Sequence, residues 1–154
     1  MDIEKIVREY IDKSIHMSLA TVNDNRPWVC EVHFVYDKDL SLYFRSMKSR
    51  RHSQDIASNP NVAGNIVKQH SVSEYPHAIY FEGKAEMVED ADERQKAFLL
   101  FKDRLELGQD ILDDAKKDDG HKFYKIIVEN WYAFGKFGGD KGLKHKLEWN
   151  GNQK

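Results

Sequence analysis

Between residues 45 and 52 the chain places Arg45, Lys48, Arg50, Arg51 and His52, five side chains that carry or can carry positive charge. They lie where "LYFRS", alternating with the period of a strand, gives way to a polar run that opens near Ser49 and stops at Asn59-Pro60, the pattern of a short helix. The first turn of a helix exposes unpaired N–H groups and the positive end of the macrodipole, so stability alone would place Asp or Glu there. Arg50 and Arg51 have the wrong sign for that field. A bound anion removes the conflict, because backbone N–H groups and guanidinium forks can then converge on one phosphate.

Other candidates for chemistry are weaker. The seven histidines, His16, His33, His52, His70, His77, His121 and His145, are scattered, and none forms an i,i+4 pair around a carboxylate, so no metal site is expected. Cys30 falls on an apolar strand face and reads as a packed thiol rather than a nucleophile. The stretch "GKFGGDKG", residues 135–142, lacks the spacing of a phosphate-binding loop and reads as a hairpin connection. Glu82, Lys84 and Glu86 form a solvated stripe. With no triad, metal cage or carboxylate dyad, any redox chemistry would have to come from a cofactor.

The elements that must position the basic corner follow from periodicity. Ile3, Ile6, Val7, Tyr10 and Ile11 recur at helical spacing, predicting an amphipathic first helix across one end of a sheet. "HMSLATV" and "PWVCEVHFVY" read as two strands joined by the turn "NDNRP", with Trp28, Cys30, Val32, Phe34 and Tyr36 on a core face and Val29, Glu31, His33 and Val35 on a mixed one. "AIYFEGKAEMV" is a long strand whose inward Gly83 predicts a bend or close approach. Asp90 and Glu93 form a capping box for a helix that buries Ala97, Phe98, Phe101 and Leu105. A further helical turn, the strand "HKFYKIIVENWYAF" and a closing strand "LKHKLEW" complete the chain. Antiparallel candidates interrupted by helices predict a small barrel or curled sheet with peripheral helices.

At 154 residues the chain is expected to form one domain spanning 1–154. Its 24 basic and 26 acidic side chains leave a net charge of −2, so no general basic field attracts nucleic acid. A single cysteine excludes an internal disulfide framework, and a charged opening with no long apolar run points to a soluble cytoplasmic protein.

Taken together, "SLATVNDNRPWVCEVHFVYDKDLSLYFRSMKSRRHSQDIASNPNVAGNIV" and "FEGKAEMVED" resemble the flavin-binding split-barrel superfamily typified by pyridoxamine 5′-phosphate oxidase. The opening meander, the S-R-[KR] corner at Ser49-Arg50-Arg51, the Asn-Pro stop and the G-K-A-E strand carry the resemblance. It implies a mainly β (α+β) fold, an antiparallel split barrel of some six strands in Greek-key order with peripheral helices. It also implies flavin mononucleotide (FMN) bound between the subunits of a homodimer, an oxidoreductase acting on a small molecule, and NADH or NADPH as electron donor. Arg50 and Arg51 match the residues that hold the FMN phosphate. Phe44 and Arg45 match the pair whose backbone lines the flavin. Glu31, Val32 and His33 match the strand along the isoalloxazine ring, with His33 expected to touch it.

Departures from the oxidase pattern concern its substrate. Val29 and Phe34 stand where a flavin-contacting Arg and a substrate-contacting Lys belong, and His77-Ala78 replaces an Arg-Gln pair. The carboxyl-terminal Arg-x-His has no counterpart in "GLKHKLEW". These losses argue against pyridoxamine phosphate as substrate and favour a short bacterial-type member. Two other cofactors fit the same resemblance: the deazaflavin F420, or haem with His145 as the side chain to test. A non-enzymatic module binding nucleic-acid phosphates at the basic corner is the remaining alternative, and it would show steep salt dependence.

Overall fold

The structure is a computed structural model that describes residues 2–137 and 143–149. Strand β1 (His16–Asn23) and strand β2 (Arg26–His33) form a hairpin closed by Asp24 and Asn25, both at positive φ (51° and 59°). Asp and Asn are among the few residues that accept this conformation, and a two-residue turn of this kind matches the twist of the strands it joins. The turn sets the register from Asn23 opposite Arg26 through to His16 opposite His33. In β1 the inward Met17, Leu19 and Thr21 are buried.

The two-residue strand β3 (Val35–Tyr36) follows β2 after Phe34 alone, and strand β4 (Leu42–Met47) turns back on it. Next come helix α2 (Arg51–Ser58), strand β5 (Asn61–Val67), strand β6 (Ala78–Met87), helix α3 (Ala91–Leu105), helix α4 (Asp110–Lys116), strand β7 (His121–Gly135) and strand β8 (Leu143–Glu148); helix α1 (Ile3–Asp12) precedes β1. The antiparallel sheet runs β2-β1-β5-β6-β7-β4-β3, with β8 on β7. Its two ends, β2 and β3, are arms of one strand kinked at Phe34, whose N–H donates to the Ile15 carbonyl (3.0 Å). The sheet therefore curls back on itself into a split barrel. Eight strands are described where about six were expected, and "PWVCEVHFVY" is two of them.

Alternation divides the packing into two cores. Leu42 and Phe44 of β4 face the barrel interior with Leu19, Phe81, Ile126 and Trp131, while Tyr43 faces outward beneath α3 and α4 with Phe98, Phe101, Ile111 and Phe123. Asp90 caps α3 by accepting from the Glu93 N–H (3.0 Å), as its capping position predicts. Arg104, in the last turn of α3, donates to the carbonyls of Ile11 (2.5 Å) and Ser14 (2.6 Å), tying α3 to the C-terminal end of α1. The inward expectation fails at Trp28, which is 40% exposed beside Val29 at 60%. Parity was right, but β2 is an edge strand, and near its start the curl no longer covers either face. Among the described residues no helix is long and apolar enough to cross a membrane. Residues 138–142 of the glycine-rich connection lie outside the described residues.

Candidate functional site

Strand β4 ends at Met47, and the Arg50 N–H closes a turn onto the Met47 carbonyl (3.1 Å). Arg50, in extended conformation, is the N-cap of α2, and its side chain makes no capping hydrogen bond. The helix thus starts at Arg51, slightly later than its expected start near Ser49, and its first turn contains no acid. Two buried contacts fix this bare helix end against the barrel: Ser53 donates to Ser46 (2.7 Å), and Thr21 donates to the Asp55 carboxylate (2.7 Å).

Beside the corner is a cleft of about 310 Å³. Glu31, Val32 and His33 of β2 form one wall, and Arg45 of β4 with Arg50 and His52 forms another. Phe101, Leu105 and Leu107, with His121 at the start of β7, complete the lining. His33 stacks on His16 across the hairpin (4.4 Å between centroids), and the Ser18 hydroxyl donates to Glu31.

The charges are unevenly compensated. Asp114 of α4 accepts from the His121 backbone N–H (2.9 Å) and from its Nδ1 (3.2 Å), and lies 3.7 Å from the Arg45 guanidinium. These contacts, the backbone hydrogen bond foremost, hold the Asp114 carboxyl below its ordinary value. Lys48 pairs with Asp118 at 2.5 Å. Among the described residues Arg50 has no acidic partner. Arg45 Nε and His52 Nε2 are buried with no hydrogen-bond partner, an uncommon state for buried polar atoms. Burial, then the Arg50 charge, lowers the His52 pKa, opposed by Asp55.

Of the residues assigned to the flavin from sequence, Glu31, Val32, His33, Arg45 and Arg50 line this cleft, and His52 of the basic corner joins them. Ser49 is exposed in the turn. Phe44 is fully buried and stacked on Tyr124 (5.1 Å), so it can offer the cleft only its backbone. Arg51 does not line the cleft; its guanidinium lies over the Trp28 ring at 4.3 Å. Sequence reasoning missed His121 and the apolar part of the lining. Phe101 and Leu105 already stood out as a helical i,i+4 pair, but His121 is brought in only by the pairing of Met47 with His121 between β4 and β7. Among the described residues no group of three or more metal-ligating side chains comes together.

Residues 3–135 match the model of the pyridoxamine 5′-phosphate oxidase family. The chain belongs to that family. Its fold recurs in solved relatives of the split-barrel group. A heme binding protein from Mycobacterium smegmatis is 16% identical with a TM-score of 0.77, over 96% of this chain and 58% of that one. HutZ, the heme storage protein of Vibrio cholerae, is 21% identical with a TM-score of 0.68, over 84% and 92%. A provisional pyridoxamine 5′-phosphate oxidase of Listeria innocua is 18% identical with a TM-score of 0.67, over 86% and 98%. The chain thus spans little more than half of the mycobacterial protein and nearly all of the other two. No curated protein matches it.

Proposed function

We propose that this family member binds FMN in the cleft beside the β4–α2 corner and serves as a flavin-dependent oxidoreductase for a small molecule. The observation that carries the proposal is Arg50, which lines the cleft at the uncapped start of α2 and has no acidic partner among the described residues. A phosphate there meets both the free guanidinium and the unsatisfied helix end. Arg50 and the first-turn N–H groups of α2 bind the phosphate. Arg45, steadied by Asp114, adds positive charge to the cleft wall. Val32 and His33 supply the wall for the ring. FMN itself supplies hydride and electron transfer when bound.

The exposed Trp28 and Val29 on the edge strand β2 support a homodimer in which this surface is covered by a second copy. NADH or NADPH is the electron donor in this scheme. Purified protein is expected to show a flavin absorbance spectrum, to sediment at twice its 18.0 kDa mass, and to bleach on anaerobic titration with one of the two dinucleotides. A Soret band in place of the flavin bands would assign haem instead. A deazaflavin spectrum would assign F420.

Histidine titration gives a check that does not depend on turnover. Without ligand, His52 should titrate below its ordinary 6.5, because burial and Arg50 both disfavour the imidazolium. A phosphate beside it adds negative charge, so FMN should raise the NMR titration midpoint. By linkage, FMN affinity should rise as pH falls through that midpoint. For the ligand-free fold the sign is reversed: the His52 contribution is present above 6.5 and is lost as pH falls through its depressed value. A midpoint unmoved by saturating FMN would place the phosphate elsewhere.

A further inference from the structure

Three residues lining the cleft, His33, His52 and His121, can exchange a proton near neutral pH; Arg45 and Arg50 stay charged. The three histidines are held differently. His33 stacks on His16 at 4.4 Å, and His52 tilts against Phe44 (6.1 Å) with its Nε2 buried. Among the described residues His121 alone of the three has a carboxylate on its ring, with Asp114 at 3.2 Å from Nδ1. The same Asp114 oxygen accepts the His121 backbone N–H (2.9 Å), a contact that would by itself fix the turn from α4 into β7. The ring contact is additional. Hydrogen bonds from the backbone and ring of His121, then the Arg45 guanidinium, hold the Asp114 carboxyl below its ordinary value, so near neutral pH it is ionised and can only accept. Nδ1 therefore keeps its hydrogen in both forms of the ring, and Nε2 is where a proton is gained and lost.

Resting on the assignment of FMN to this cleft, we infer that His121 gives a proton, from Nε2, to a carbonyl or quinone oxygen of the substrate reduced there, and that Asp114 positions its ring. The acceptor is reduced by a hydride, which carries both electrons, from reduced FMN, and FMN is oxidised by the same two. A C=O π bond of the acceptor opens, the N–H bond at Nε2 breaks, and an O–H bond forms. His121 is left as the neutral ring with its hydrogen on Nδ1, the form that Asp114 binds. Its side chain is 44% exposed, so water can return the proton. Asp114 is a positioning residue, since it holds the ring and does not line the cleft.

The test uses FMN-loaded protein whose flavin is reduced by light and EDTA, which bypasses the electron donor, with menadione as the acceptor. Stopped-flow absorbance follows flavin reoxidation. His121→Ala and His121→Gln should each slow it about a hundredfold, the scale of a lost general acid. Added imidazole should restore the His121→Ala rate in proportion to its protonated fraction and leave the wild type unchanged, a response that a merely structural role would not give. Asp114→Asn should slow the wild type by a smaller factor and add nothing in the His121→Ala background, as expected of a residue that acts through the ring. Independently of turnover, menadione added to the oxidised FMN-loaded protein should shift the His121 Nε2 nitrogen signal saturably. The inference is overturned if both His121 variants reoxidise as fast as the wild type, or if their losses are neither rescued by imidazole nor matched by an Nε2 shift in the wild type. A wild type that takes up no FMN overturns the flavin assignment, and this inference with it. A wild type that takes up FMN, beside variants that keep its rate, overturns this inference alone.

Discussion

Arg50→Ala is expected to weaken FMN binding by roughly one to two orders of magnitude, the loss of one charge-assisted phosphate contact, while Arg51→Ala stays within about twofold, as usual for an exposed charge. The two arginines are adjacent in sequence, and a reading by residue type treats them as equals. The structure separates them. Arg50 lines the cleft and has no acidic partner among the described residues; Arg51 is parked on the Trp28 ring at 4.3 Å, a cation–π contact on the edge strand. Fluorescence titration of the flavin-free variants measures the difference. Riboflavin, which lacks the phosphate, is the control: its affinity should be the same in wild type and Arg50→Ala. Equal losses in both variants, or a loss in Arg50→Ala that riboflavin shares, would remove the phosphate from Arg50.

That comparison also marks where the sequence stopped being informative. The corner itself was legible because its residues are contiguous, and wrong-sign charges at a helix start conflict locally. The hairpin register was legible for the same reason, since Asp24 and Asn25 accept positive φ and fix every pair that follows. Trp28 was misplaced because alternation gives the side of a strand but not how far along it the neighbouring layer extends. His121 was not found because nothing beside it is unusual; the antiparallel pairing of β4 with β7 puts it next to Met47, and Asp114 is delivered by a turn of α4 that precedes it. The direction of the Arg51 side chain is likewise a tertiary fact. The β4 wall and His121 both depend on the course of β7, so the barrel's geometry and the site's geometry are one problem.

The residue on which that course depends most is Gly83. Strand β6 pairs with β7 in one register up to Glu82 opposite Asn130 and in a shifted one from Gly83 opposite Val128, so Glu129 is the extra residue of a bulge, and its carbonyl accepts from the Trp149 N–H (2.7 Å). At the bulge the two backbones come so close that a Cβ on Gly83 would fall far inside van der Waals contact with the Ile127 carbonyl oxygen and press on the Val128 Cα. No side-chain rotation can relieve this, because the obstruction is backbone, and β7 is held by β6, β4 and β8 at once. Gly83→Ala is therefore expected to cost about 3 kcal/mol or more, which lowers Tm by roughly 10 °C in a chain of this size. Gly108→Ala is the matched control: its Cβ would meet only the Asp110 side chain, at 3.0 Å, which can swing aside. Because β7 also carries His121 and pairs Phe123 with Arg45, the Gly83 variant should lose FMN affinity together with stability, whereas Gly108→Ala should lose neither. If Gly83→Ala melts with the wild type, β6 and β7 do not approach as closely as the bulge requires, and the curvature that sets the cleft must come from elsewhere in the sheet.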